Sequence, residues 1–305
     1  MLHSGYHFCC ISRFRLQKIF YVFACAALLL CACDKDSLNP DNGSTPSESG
    51  NGSEITKPSG PIVLPSKIND ATYVYGQDGR IIQHTNTFSY SEYDETFSEN
   101  YSYTYALSGS IMTETETSTS AYGNSERDKA LVFVDGHIVR WIEMGEYSYD
   151  DHYYEYDNGY LTLEEYRHGN DVRYINYIWK DSCLSKITKQ DCDTEVYAEY
   201  EFVYGDDKNP YYGLNFDPTA IWLSPSDDEG QRWKMLGLMG KNSKKLPVSV
   251  KFSSNEGERT ENYSITYKFS SGALSEICVS MESSGSEYET VKETNTYVIE
   301  NKTIK

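Results

Sequence analysis

Tyr154-Glu155-Tyr156-Asp157-Asn158-Gly159-Tyr160-Leu161 is the stretch whose reading decides the fold. Aromatic residues alternate with acids up to an Asn-Gly pair, and an apolar residue opens the next segment. Alternation with a period of two places the rings on one face of a strand. Asn-Gly supplies the positive φ angles of a type I′ turn, whose twist suits antiparallel strands. The stretch predicts a β-hairpin. Working outward, the same arrangement recurs as Tyr73-Val-Tyr75 before Asp78-Gly79 and Ile81, Tyr103-Thr-Tyr105 before Gly109 and Ile111, and Leu131-Val-Phe133 before Asp135-Gly136 and Ile138. It returns as Tyr177-Ile-Trp179 before Asp181 and Leu184, and as Tyr267-Lys-Phe269 before Gly272 and Leu274. Phe202-Val-Tyr204-Gly205 is a degenerate seventh copy. The spacing between copies suits two strands and two connections. The predicted fold class is all-β and mainly antiparallel, with repeated hairpins forming a curved sheet or a partly open barrel.

The rhythm breaks between Tyr204 and Tyr267, and a short irregular or helical insertion is expected near residues 205–247. Within it Gln231 to Leu238 has the pattern of a short helix, preceded by the start signal Ser226-Asp227-Asp228-Glu229. The insertion is expected to plug or cap one end of the sheet. It also holds Tyr211, Tyr212, Trp222 and Trp233, a candidate aromatic binding surface, because aromatic planes stack on sugars and anchor protein partners. The competing expectation is that Trp222 and Trp233 close the core beneath the segment. The 28 Tyr against 11 Phe suit a sheet whose rings are buried while their hydroxyls reach water or a polar partner.

At the N-terminus, Arg13, Arg15 and Lys18 precede an apolar run from Ile19 to Leu30, shorter than the ~20 apolar residues that span a bilayer. Leu30-Cys31-Ala32-Cys33 closes the run and resembles the lipobox of bacterial lipoproteins. The resemblance implies a signal peptide over residues 1–32 and a lipid on Cys33. Residues 33–66, rich in Ser, Gly, Pro, Asn and Asp, read as a disordered tether, and residues 67–305 as a single tyrosine-rich β domain. As a flexible coil the tether has a root-mean-square span of about 30 Å, which would lift the domain clear of the membrane surface. Asp34-Lys35-Asp36 resembles an acidic export signal for the outer face of the outer membrane, and Asp36-Ser37-Leu38 an O-glycosylation triplet, with Ser37 the acceptor.

The chain carries 27 Lys+Arg against 46 Asp+Glu. The leader removes three basic residues and no acid, which leaves a balance of −22. Such a charge excludes nucleic acid as an expected partner, and carboxylate groups such as Asp227-Asp228-Glu229 read as solvated surface. The mature histidines His84, His137, His152 and His168 include no His-x-x-x-His pair, and no nucleophile elbow or phosphate-binding glycine loop is present. No metal, cofactor or catalytic residue is predicted. Of the cysteines beyond Cys33, Cys183 and Cys192 are placed to pair across a hairpin in an oxidising compartment, and Cys278 is left over.

The tyrosine-rich hairpins, Lys208-Asn209-Pro210-Tyr211 and Gly240-Lys-Asn-Ser-Lys-Lys-Leu246-Pro247 resemble an uncharacterised lipoprotein family of Bacteroidales type. The resemblance covers the chain from about Thr72 onward. It implies a porin-like antiparallel sheet that is soluble and not inserted, and it transfers no catalytic residue. The expected protein is a lipid-anchored component of the outer membrane, facing outward at the cell surface. It is expected to bind a glycan or a protein, with a structural or adhesive role as the alternative and a glycoside hydrolase as the remoter one.

Overall fold

Every regular repeat of the sequence becomes a hairpin, and the hairpins join edge to edge. The computed structural model describes residues 61–304 except 93–94, 122, 145–148, 170, 193–194, 224, 226–227, 256–257 and 286–287. The predicted signal peptide, Cys33, Ser37 and the tether as far as residue 60 lie outside the described residues.

After β1 (Ile62–Ile68), the repeats give β2 (Ala71–Tyr75) with β3 (Ile81–Glu92), β4 (Glu95–Ser108) with β5 (Ile111–Ser120), and β6 (Gly123–Val134) with β7 (His137–Met144). Next come β8 (Tyr149–Asp157) with β9 (Tyr160–His168), and β10 (Asp171–Lys180) with β11 (Cys183–Asp191). β12 (Val196–Lys208) and β13 (Lys245–Ser254) flank the insertion, and β14 (Thr260–Ser270), β15 (Ala273–Gly285) and β16 (Tyr288–Ile304) complete the set. Neighbours in sequence are neighbours in the sheet, and β16 pairs with β1, so sixteen antiparallel strands form a closed barrel. Closure replaces the expected curved or partly open sheet. It rests on β1, where Ile62 lies opposite Ile304. That strand begins inside the segment read as tether, because Pro61 and Pro65 look like linker. Pro65 sits at a register shift, a place where a missing N–H does little harm.

The repeat has a structural logic beyond its turn. In five of the six regular hairpins the second strand carries one extra residue just after the turn, so that Tyr156 faces Leu161 while Glu155 faces Leu163, and Trp179 faces Leu184 while Ile178 faces Lys186. Such bulges raise the local twist and are common at barrel rims. Here they leave a carbonyl for the next hairpin's aromatic residue. Tyr156 Oη donates to Ile138 O at 2.6 Å, Trp179 Nε1 to Leu161 O at 2.7 Å, and Tyr204 Oη to Leu184 O at 2.8 Å. The aromatic position therefore favours Tyr or Trp over Phe, since these buried rims need a donor.

The rings and the opening aliphatic residues point inward. Tyr73, Tyr105, Tyr154 and Tyr177 are buried with Ile81, Ile138, Leu161, Leu184 and Leu274. Polar residues take most outward positions of a strand such as β14. Along β14, Glu261, Tyr263, Ile265 and Tyr267 turn inward, while Asn262, Ser264, Thr266 and Lys268 are exposed. A barrel of this strand number encloses an aqueous channel in porins, so an apolar inner wall needs something to fill it.

Candidate functional site

The filling is the insertion. Six tight turns lie at one end of the barrel, and where a seventh would join β12 to β13 the chain instead runs through residues 209–244 and folds back between the walls. Asn209 starts the return by donating from Nδ2 to Ser243 O at 2.9 Å and accepting from Tyr211 N at 3.0 Å. A 3-10 turn at Pro218–Ile221 follows, with Asp217 as its cap accepting from Thr219 N at 2.9 Å. Next comes α1 (Asp228–Met235), three residues ahead of the expected start. It ends at Met235, and Gly237, with φ +68°, turns the chain away before the expected Leu238.

This plug is pinned by charge as well as by packing. Glu114 of β5 is fully buried and accepts from Arg232 Nη2 and from Trp233 Nε1, both at 2.8 Å. The Arg232 guanidinium lies 4.1 Å from the centre of the Tyr103 ring, and Trp233 packs edge-on against Trp141 at 5.3 Å. Lys129 of β6 pairs with Glu229 in the first turn of α1, so this carboxylate is not the solvated loop acid the sequence suggested. Lys234 is 4.8 Å from the Tyr177 ring, and burial pushes its pKa down against the pull of Asp217 and Glu164. Asp217 is pushed up by burial, with Lys234 opposing.

The four aromatic residues of the predicted binding surface do not form one platform. Trp233 and Tyr211 are 0% and 1% exposed. Trp222 is half-buried against Tyr263, at 5.9 Å between ring centres. Tyr212 is 39% exposed, and its hydroxyl lies 2.9 Å from that of Tyr160. The reason is the inward return of the insertion, which gives large rings a core to fill. Tyr211 and Tyr212 do come together, on the wall of an open cavity of about 420 Å³ between the insertion, the start of β1 and the turn before β15. Pro210, Leu214, Ile62 and Ala273 line it as well. It offers stacking surface and backbone polar groups, a lining suited to a sugar ring or an apolar side chain.

Cys183 and Cys192 do not face one another. They stand at opposite ends of β11, nine residues apart along an extended strand, about 30 Å at ~3.3 Å per residue, and a disulfide needs Cα atoms within about 7 Å. Among the described residues, no group of three or more His, Cys, Asp or Glu is placed to hold a metal ion.

Sequence reasoning missed the interior charges, Glu114 and Lys129, and the buried His84. The signal for Glu114 was its two-residue spacing from Met112, which puts it on the buried face. His84 is stacked between Tyr73 and Tyr103, with ring centres at 4.9 and 5.4 Å. Burial, reinforced by the Arg232 charge, lowers its pKa to about 4. The unfolded chain then binds the extra proton first, so stability present above pH 6.5 is lost as pH falls toward 4. Between pH 7 and pH 5 this group is expected to remove about 2 kcal/mol. Urea unfolding of the protein and of His84→Phe at both pH values checks it, and equal slopes in the two would refute the assignment.

No family profile matches the chain, and no curated protein does. Among solved structures the fold has counterparts. A porin-like protein from Bacteroides uniformis ATCC 8492 is similar at 15% identity and a TM-score of 0.54, over 75% of this chain and 90% of that one. A porin-like protein from Bacteroides vulgatus ATCC 8482 gives 14% identity and a TM-score of 0.48, over 77% and 97% of the two chains. At this identity the first likeness is one of fold, and the architecture is a porin-like barrel closed around its own inserted segment.

Proposed function

We propose that this chain is a lipid-anchored cell-envelope protein, held to the outer membrane through Cys33 and facing outward, whose barrel is a binding module for a glycan or a protein. The observation that carries the reading is the plug. An interior occupied by the chain's own segment and pinned by Glu114–Arg232 and Lys129–Glu229 speaks against a solute channel through that end. The outer wall supports the same reading, because a spanning barrel needs an outward apolar band about 25 Å tall, and strands such as β14 present Asn, Ser, Thr and Lys instead. The cavity beside Tyr211 and Tyr212 is the place for a ligand, and no catalytic step is assigned to it.

Two measurements test this. Cys33→Ala is expected to move the protein from the detergent phase to the aqueous phase of cell extracts, and retention in detergent would refute the anchor. Glycan-array screening and capture from intact cells are expected to yield a ligand whose binding falls about tenfold in Tyr212→Ala, the usual scale for losing a stacked aromatic contact. A ligand indifferent to Tyr212→Ala would move the site elsewhere.

A further inference from the structure

The exposed large apolar side chains of the described residues are not scattered. Val74, Ile82, Val134, Ile178, Val203 and Val298 stand on the outer wall near the end of the barrel that carries the tight turns, and Leu107 and Phe269 stand on its rim. Only Val291 among these exposed residues lies toward the opposite end. Register fixes their level. Val74 faces Gln83, Ile178 faces Lys186, Val203 faces Ser249 and Val298 faces Glu276, each partner within five residues of where its own strand begins at this end. The result is a belt at the level of the third to fifth residues of those partner strands. Single exposed apolar residues need no explanation, but their collection at one end of a molecule marks an interaction surface.

Two observations say what covers it. The chain enters β1 at Ile62 on this same end, opposite Ile304, so the residues between Cys33 and Pro61 lead from here. Charge divides in the same direction. The connections at this end bring Arg80, Lys241 and Lys244 among a few aspartates, whereas those at the other end hold more acids than bases, with Arg259 their one base. An acidic end is repelled by anionic headgroups, and the belted end is not.

We propose that the turn-bearing end of the barrel seats on a lipid bilayer, with the valine and isoleucine belt sunk into the headgroup boundary. This builds on the lipid-anchor reading and adds an orientation to it. The belt is far too shallow to span, and its depth suits interfacial contact of about 5–10 Å. A tether of this length, about 30 Å in root-mean-square span, allows contact as readily as separation. It also raises the local concentration to the millimolar range, where a weak contact suffices. The plug and the cavity beside Tyr211 and Tyr212 then face the headgroup layer, so that a ligand of that cavity would be a sugar or protein loop at the membrane surface, and the acidic end faces outward, in place of a domain held clear of the surface.

The test uses the mature chain from residue 33 with Cys33→Ala, so that no lipid contributes, floated with vesicles of phosphatidylethanolamine and phosphatidylglycerol at millimolar lipid. The chain is expected to float with the vesicles. The combined variant Val74→Ser, Ile178→Ser, Val203→Ser and Val298→Ser is expected to cut the bound-to-free ratio at least tenfold with unchanged far-ultraviolet circular dichroism. Val291→Ser is expected to leave it unaltered. An unsubstituted chain that stays at the bottom of the gradient overturns the proposal, as does equal flotation of the belt variant. Self-association that the belt variant abolishes, without vesicle binding, assigns the belt to a second copy of the chain and overturns it too. The detergent partition of Cys33→Ala in cells reports on the anchor alone, so the two readings fail separately.

Discussion

Replacing Glu114 with alanine is expected to lower the free energy of unfolding by about 3–5 kcal/mol, the usual cost of removing one partner from a buried ion pair. The carboxylate sits in the inner wall at zero exposure and holds two donors of the plug, the Arg232 guanidinium and the Trp233 indole. Without it Arg232 keeps its charge, because a guanidinium is not deprotonated in proteins, while burial goes on opposing that charge and the attraction of Glu114 that offset it is gone. That charge would be left with the Tyr103 ring, the Tyr105 hydroxyl and the carboxylate of Glu229, which is already paired with Lys129. The indole N–H would lose its acceptor as well. Thermal unfolding is the measurement, and the melting temperature should fall by roughly 10 °C at ~2–4 °C per kcal/mol for a domain of this size. The double variant Glu114→Leu with Arg232→Met, which removes both charges and restores apolar volume, is expected to recover most of the loss. A fall below about 1 kcal/mol for Glu114→Ala would mean that packing alone seats the plug.

How much of this was legible in the chain depends on the range of the forces involved. The hairpins were legible because their determinants are local, and Asp135-Gly136 and Asn158-Gly159 sit at positive φ as the turn chemistry requires. The break after Tyr204 was also legible, since Asn209-Pro210 and the tryptophans cannot continue a two-residue alternation. Closure was not, because it pairs Ile62 with Ile304 across the whole chain, and five residues of β1 looked like linker. The direction of the insertion was equally hidden. Trp233 inside and Trp233 outside are compatible with the same helix pattern, and what decides is a wall more than 100 residues earlier, where Glu114 accepts its indole. The same distance explains Cys183 and Cys192, whose spacing fits a hairpin by count but spans a single strand in fact. The charged interior follows from these non-local choices, so a reading that treated carboxylates as solvated could not find it.

The close fit of the plug to itself gives the second large effect, Gly237→Ala, expected to cost about 3–5 kcal/mol when left-handed strain and overpacking act together. Gly237 has φ +68°, and a Cβ there would lie 2.4 Å from Asn215 Cα, 2.5 Å from Asn215 C and 2.9 Å from Phe216 N. These are backbone atoms of the bent, irregular run into the 3-10 turn, and they cannot swing aside as a side chain does. Nor can the segment translate. Asp217 N donates to Met235 O at 2.8 Å, Leu238 N to Trp233 O at 2.9 Å, and Ile138 N of the barrel wall to Leu238 O at 2.9 Å. Relief therefore has to come from lifting α1 and its buried Trp233 out of the core. Gly213 supplies the control, because it shares the left-handed backbone at φ +77° with nothing within 4 Å of a Cβ. Its alanine variant should carry only the conformational cost, about 1–2 kcal/mol. Chemical denaturation of the two variants side by side separates strain from collision, and near-equal losses would refute the contact. If Gly237→Ala keeps its β-sheet circular dichroism while its tryptophan emission shifts to the red, the barrel wall stands without its plug, and the plug becomes a separable part of the fold.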